Sequence, residues 1–340
     1  MNLLTNFLTK GLRYLAAILM VALFCTGCAS HIATTSSNPW QPLTLPTTAN
    51  LFDVAFNSST HGWVVGSRAT MFETTDGGAT WKQKKFELGD DLNYRFSSVS
   101  FSGSEGWIVG QPSLLLHTTD NGKNWERISL SSKLPGSPER IAALANQSAE
   151  MVTDVGAIYQ TSDAGKTWKA MVQDAVGVAK SISRSANGQY IAVSATGSFY
   201  STWDPGQDSW MGHNRNSSRR VQNMGFGPDG RLWMLSRGGQ IQFSEVNDTE
   251  SWGDALTPED NASWGLLDLA YRTPTEIWVA GGSGSLLQST DGGKTWQKDR
   301  EVEDVPSNFD KIVFLNANQG FILGQRGTLL RYVSPQKTSA

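Results

Sequence analysis

Between recurring tryptophans the chain alternates short apolar runs with polar turns. The segments DVAFNSSTHGWVVG (Asp53 to Gly66), SVSFSGSEGWIVG (Ser98 to Gly110), LDLAYRTPTEIWVAG (Leu267 to Gly281) and IVFLNANQGFILG (Ile312 to Gly324) can be laid over one another. Each reads as two strands joined by a turn, because the apolar positions alternate or run briefly and then meet Gly, Asn, Ser or Thr. A third apolar run follows in ATMFETT, SLLLHTT, GAIYQTS, GSLLQST and GTLLRYV, and the residues after the next turn supply a fourth strand. No long segment after residue 27 shows a 3.6-residue period, so the body is predicted to be all β.

The pattern is periodic. Trp40, Trp81, Trp125, Trp168, Trp210, Trp252 and Trp296 are separated by 41, 44, 43, 42, 42 and 44 residues. A unit of that size cannot bury its own apolar face and must stack on its neighbours. Four antiparallel strands per period match a propeller blade, and closing the ring removes the open sheet edges. Six blades end near the tryptophans from Trp81 to Trp296; a seventh begins near Phe309 and has only three strands before the chain stops at Ala340. Its fourth strand is expected from NPWQPLTLP (Asn38 to Pro46), whose Trp40 sits one period before Trp81.

The turn before each tryptophan has its own logic. TTDGGATW, TTDNGKNW, TSDAGKTW and STDGGKTW end at Trp81, Trp125, Trp168 and Trp296, while STWDPGQDSW and FSEVNDTESW are worn versions ending at Trp210 and Trp252. The aspartate can accept hydrogen bonds from backbone N–H groups two residues on, and glycine supplies the positive φ of a tight turn. The tryptophan is a large apolar anchor whose indole N–H wants a partner, which suits a seam between units. The octet resembles the Asp box of sialidases and related propellers, where it is a structural turn remote from the active site.

Residues 1–27 read as a targeting segment. Lys10 and Arg13 precede an apolar run from Tyr14 to Phe24 that is short for a membrane span, and Thr26 and Gly27 lead into Cys28. This resembles a bacterial lipoprotein signal with Cys28 as the lipid carrier, although Cys25 stands where such signals usually carry Leu. The expected organisation is a signal over 1–27, a lipidated Ser/Thr-rich tether over 28–37, a propeller over 38–335 and a tail over 336–340. After cleavage Cys28 is the only cysteine, so burial and not disulfides must hold the body.

Charge narrows the function. The chain carries a formal net charge of −3, and losing Lys10 and Arg13 makes it more acidic, which argues against general nucleic-acid binding. Enzyme signatures are scarce. AGKT at Ala164 to Thr167 and GGKT at Gly292 to Thr295 echo a phosphate loop, but Gln160 and Gln288 stand where its first glycine belongs. The four histidines, His31, His61, His117 and His213, are isolated, so neither a metal nor a cofactor is expected, and His61 reads as a polar turn residue. No GxSxG occurs.

The basic residues are unevenly placed. Residues 180–237 hold seven basic and three acidic side chains, whereas residues 245–304 hold thirteen acidic and four basic. If strands alternate up and down, the loop entering each blade and the turn between its second and third strands share one end. Arg215, Arg219, Arg220 and Arg237 then fall together, and Arg184 and Lys180 on the innermost strand of blade 4 are expected to join them as a partner-binding patch. Arg231 is expected on the opposite end. The acidic stretch from Glu245 to Asp304 is expected beside the patch. Arginine suits planar, bidentate recognition of carboxylates.

Taken together, the lipoprotein-type signal, the repeated turns such as HGWVVG and TTDGGATW, and GHNRNSSRRVQNMGFGPDGRLWMLSRGGQ resemble the photosystem II stability and assembly factor family of cyanobacteria and plastids. The resemblance covers residues 38–335, with the arginine-rich segment its most specific part. It implies a non-catalytic, lipid-anchored propeller on the lumenal side of the thylakoid, or the periplasmic face of the cell membrane. Such a protein binds newly made reaction-centre subunits early in assembly and during repair. It also implies that Arg184, Arg215, Arg219, Arg220 and Arg237 match the family's arginine patch. Pigment contact is left open by the sequence, and an exported propeller with glycosidase-like or cofactor-binding activity in its central channel is the alternative.

Overall fold

The computed structural model describes residues 38–86, 88, 92–215, 217–258 and 265–334. Every regular element among them is a strand, and the strands form seven antiparallel sheets, one per repeat. In blade 1 the order from the innermost strand outward is Leu51–Phe56, Gly62–Gly66, Met71–Thr74 and Lys82–Lys84. We call these positions A to D. Strand B is wholly buried in this blade because neighbouring blades cover both its faces, which is why GWVVG is a continuous apolar run. Strand D is the outer edge, and Lys82 and Gln83 are exposed on it. Lysine on an exposed edge discourages pairing with another chain.

Blade 7 is assembled from both ends of the described chain. Trp40–Thr44 pairs antiparallel with Thr328–Tyr332, with Trp40 opposite Tyr332 and Thr44 opposite Thr328, beside Gln319–Gly324 and Phe309–Asn316. The expected latch is therefore in place. Trp40 is 2% exposed and meets Trp278 of blade 6 edge-on at 5.5 Å and Tyr332 at 5.3 Å. Six sheets have four strands; in blade 5, among the described residues, only two isolated bridges, Ile241 with Leu256 and Ser244 with Trp252, occupy the place of the fourth.

The apolar core is divided among the seams. Seven separate clusters of buried side chains each join one blade to the next, as Trp63, Val65 and Met71 of blade 1 meet Phe96, Ile108 and Leu114 of blade 2. No blade has a core of its own, as the period required. Tryptophan and phenylalanine dominate the contacts: Trp63 lies flat on Phe101 at 3.9 Å.

The Asp-box turns lie between strands C and D. The Asp76 carboxylate accepts the Thr80 amide at 2.9 Å, the Thr80 hydroxyl at 2.5 Å and the Thr74 hydroxyl at 2.8 Å, so the amide it holds is four residues on and not two. Those bonds, the Thr80 hydroxyl's first, lower Asp76 from the ordinary 3.8 to about 2. The second glycine of the box has two duties. Gly122 has φ +72°, and a Cβ there would lie 2.8 Å from the Trp63 ring of the preceding blade; Gly78, Gly165 and Gly293 press on Phe321, Trp107 and Phe243 in the same way. Ala164–Thr167 and Gly292–Thr295 belong to two of these turns.

Candidate functional site: a polar channel and a basic rim

The two ends of the ring differ. The loop entering each blade and the B–C turn meet at one end, where backbone bonds such as Ser67 N to Asn50 O at 2.9 Å and Arg237 N to Arg220 O at 2.8 Å join them. The A–B and C–D turns meet at the other, as in Gly77 N to Thr60 O at 2.8 Å.

Each innermost strand breaks register with strand B at the same point. The residues skipped are Phe52, Ser97, Glu139, Lys180, Gln222, Leu267 and Asp310, one per blade. A bulge places an extra residue and re-aims its neighbours, and five of these skipped residues line a cavity of about 510 Å3 at the loop-entry end of the central channel. Nothing in the alternation of apolar and polar positions marks a register shift, so the sequence did not reveal this ring.

The next residue of each strand forms the waist: Asp53, Ser98, Arg140, Ser181, Asn223, Asp268 and Lys311. Five of these side chains, Asp53, Ser98, Asn223, Asp268 and Lys311, lash blades to one another. Lys311 Nζ lies 2.5 Å from Asp53 Oδ1, Ser98 Oγ donates to Asp53 Oδ2 at 2.7 Å, and Asn223 Nδ2 donates to Asp268 Oδ1 at 3.0 Å. Burial opposes ionisation of Asp53, but Lys311, Arg140 and these bonds bring it below the usual carboxylate range; in Asp268 burial outweighs its hydrogen bonds and the more distant cations and pushes it up. Arg140, Asp268 and Lys311 also border a second cavity of about 600 Å3 at the opposite end. The Arg140 side chain makes no hydrogen bond or ion pair among the described residues, although its charge reaches Asp53. Around the loop-entry mouth, cations (Arg95, Lys180) alternate with Glu139 and Asp310, the latter raised to about 6 by burial. The channel thus carries no marked excess of either sign.

The excess of positive charge lies on the rim over blades 4 and 5. Arg215 Nη1 donates to the Arg219 carbonyl at 2.6 Å, Arg219 Nη1 approaches the Arg237 carbonyl at 3.4 Å, and Arg237 is bonded to Arg220 through the backbone. Lys180 donates to Gln222 Oε1 of blade 5. Partial burial of its ammonium lowers the Lys180 pKa, and the charge of Arg237 adds to that in the same direction. Arg219, Arg220 and Arg237 are exposed, while Arg215 is half-buried. The structure therefore brings together five of the six residues expected in the patch.

Arg184 is the exception. It is the last residue of Ala179–Arg184, paired with Tyr190 at the A–B hairpin, and it borders the cavity at the opposite end. Its Nε donates to Glu150 Oε1 at 2.7 Å, and Glu150 is 5% exposed. Lys180 and Arg184 share a strand, but four residues of extended chain span about 13 Å, enough to carry the side chain from one end of the channel to the other. Arg231 also lies at the A–B end, with Nε 2.7 Å from Asp229 Oδ2, as its position at the start of strand B requires.

The acidic stretch does not form one block beside the band. Glu245, Asp248 and Glu250 sit in the C–D turn of blade 5, Glu276 in an A–B turn and Asp291 in an Asp box, all at the opposite end. The Glu303 carbonyl packs at the B–C turn of blade 6, beside Gly284, so among the described residues the stretch from Asp299 to Asp304 shares the end with the arginines. Glu259 and Asp260 lie outside the described residues, as does Cys28. His61 is more than a turn residue: its Nε2 is 2.8 Å from Glu73 Oε1 and its ring lies 4.2 Å from Trp63.

A ring closed by the strand at Trp40, with Asp-box turns at one end and a basic band at the other, defines an Asp-box propeller. Residues 32–333 match the model of the photosynthesis system II assembly factor YCF48 family, and the chain belongs to that family. A curated relative from Trichormus variabilis, named photosystem II assembly lipoprotein Ycf48, is 60% identical over 326 residues, covering 96% of this chain and 95% of the relative. A solved structure described as YCF48 bound to D1 peptide superposes with a TM-score of 0.85 at 57% identity, covering 87% of this chain and 97% of the other. YCF48 from Cyanidioschyzon merolae gives a TM-score of 0.82 at 40% identity over 88% of this chain and 100% of that one.

Proposed function

We propose that this protein is a non-catalytic assembly factor for photosystem II. It binds newly made reaction-centre subunits, D1 among them, through the band formed by Lys180, Arg215, Arg219, Arg220 and Arg237. The observation that carries this reading is a basic band on one end of a ring whose 57%-identical relative is described as bound to a D1 peptide. Guanidinium groups from adjacent blades form a rigid array, and each well-formed contact to a carboxylate contributes about 1.5–3 kcal/mol when shielded from water. The protein acts early in assembly and in repair, held to the lumenal side of the thylakoid by lipid on Cys28; the naming of relatives as lipoproteins supports the anchor. The non-catalytic reading is supported by the buried channel carboxylates, since Asp53 and Asp268 are engaged in lashing blades together.

Changing Arg219 and Arg220 together to Glu should abolish co-purification with reaction-centre subunits while leaving the circular dichroism melt unchanged, because exposed charges carry little of the ring's stability. Normal capture by the folded double variant would move the binding site elsewhere. In the same fractions, Cys28→Ala should shift the uncomplexed protein from membrane to soluble.

A further inference from the structure

We propose that Val178 and Phe199, at the loop-entry end of blade 4, form an apolar shelf beside the basic band. On this shelf the bound segment seats an apolar side chain next to the carboxylate that the arginines hold. The proposal rests on the reading of the band as the D1-binding face and specifies the kind of segment that face accepts.

Both residues stand out from their own repeat. Two positions before the skipped residue of strand A stand Asn50, Arg95, Ser137, Arg220, Gly265 and Asn308 in the other six blades, and Val178 is the one branched apolar side chain at that position. Val178 is 64% exposed. Its backbone is ordinary: the carbonyl accepts Ala195 N at 3.0 Å, as the Asn50 and Arg220 carbonyls accept their partners. The fold therefore sets the loop, and leaves the side chain free to be polar. The strand-B residue opposite each waist residue pairs with one residue of strand C, and just before that partner Phe199 stands where the other blades have Thr70, Leu114, Ala157, Gln240, Ser285 or Thr328; Phe199 is 38% exposed where Leu114 is fully buried.

The two exposed side chains are neighbours. They line one shallow hollow with Val176 and Val193. Lone apolar residues on a surface need no explanation, but adjacent ones rimmed by polar groups mark contact sites. Here the rim is basic on two sides. Lys180 follows Val178 by two residues at the channel mouth, and Arg215 follows Asn214, the cross-strand partner of Phe199. Arginines flanking an apolar shelf complement a segment that carries an apolar side chain one or two residues from an acidic one. A purely acidic ligand would leave the shelf in water.

The test uses the full chain and overlapping fluorescent peptides covering the D1 segments outside the membrane, with binding read by anisotropy at low and high salt. Val178→Asn with Phe199→Thr installs the residues that blade 1 uses, so the fold should persist, as an unchanged melt would verify. The double variant should bind the D1 peptide about tenfold more weakly at both salt concentrations, since burial of apolar surface is insensitive to screening. Replacing the bound peptide's apolar residue with Ser should lower wild-type affinity equally and leave the variant's unchanged. Undiminished binding by the variant, with binding still lost in Arg219→Glu/Arg220→Glu, would overturn the shelf and leave the assembly-factor reading standing. Failure of every D1 peptide to bind wild type would overturn both. Vesicles of anionic lipid form the remaining arm: a variant that loses vesicle binding but keeps full peptide affinity would assign the shelf to a membrane surface and refute the peptide occupant.

Discussion

Blades 1, 2, 3 and 6 keep the Asp box, and blades 4 and 5 have lost it, yet all six keep a tryptophan at the period. The difference shows which part of the repeat the ring requires. In the intact boxes the indole N–H donates to the glycine carbonyl of its own turn, at 3.1 Å for Trp81, Trp125 and Trp296 and 3.2 Å for Trp168. In the worn ones it donates across the seam, from Trp210 to the Gly156 carbonyl of blade 3 at 2.8 Å and from Trp252 to the Tyr200 hydroxyl of blade 4 at 3.0 Å. The seam needs an aromatic wall with a satisfied N–H; the aspartate is one means of holding it. Blades 4 and 5, released from the box, are also the blades that carry the basic band and the apolar shelf at their other end.

The strongest way to sharpen this comparison is to remove an outer strand. Among the described residues blade 5 holds only two bridges in place of a fourth strand, so the strand of blade 7 would be dispensable as well if outer strands were equivalent. Deleting residues 38–46 should nonetheless lower the melting temperature far more than deleting 29–37. The buried Trp40 is wedged against Trp278 and Tyr332, and loss of such a side chain alone costs about 3–5 kcal/mol. Equal melts for the two deletions would show that the ring closes without its latch.

Next in size are matched glycine substitutions. Gly122→Val in an intact box must strain a φ of +72° and push into Trp63, and a loss of about 2–4 kcal/mol is expected in denaturant titration. Gly206→Val in the worn turn of blade 4, with φ +95° and open space around it, meets only the backbone strain, about 1–2 kcal/mol. Similar losses at both positions would mean that the box glycine serves the turn and not the seam.

The smallest effect is in acid. Hydrogen bonds within the turn lower Asp76, Asp120 and Asp163 from 3.8 to about 2. A lowered carboxylate contributes stability that is present above the unfolded value near 4 and lost as the pH falls towards 2. Changing these three to Asn should therefore reduce the loss of melting temperature between pH 4 and 2. Asp310, raised to about 6 by burial, works in the opposite sense and in another window: its contribution falls as the pH rises from about 4 to 6. An unaltered acid limb in the Asn variant would assign the acid loss to other carboxylates.

The period and the alternation of apolar residues determined the strands, the seven sheets and the latch at Trp40, because a unit of about 42 residues with two apolar faces can bury them only by stacking in a closed ring. Counting strand direction also placed Arg215, Arg219, Arg220 and Arg237 at one end, since connections alternate between ends whatever the side chains are. Depth along a strand was beyond that count. Arg184 lies four residues from Lys180, and the rise of an extended chain sends it to the other end, where a buried Glu150 holds it. The ring of bulges, the charged waist around Asp53, Asp268 and Lys311, and the exposure of Val178 and Phe199 were likewise decided by tertiary structure. Each depends on register between strands or on what a neighbouring blade covers, and a repeat read along one dimension carries neither.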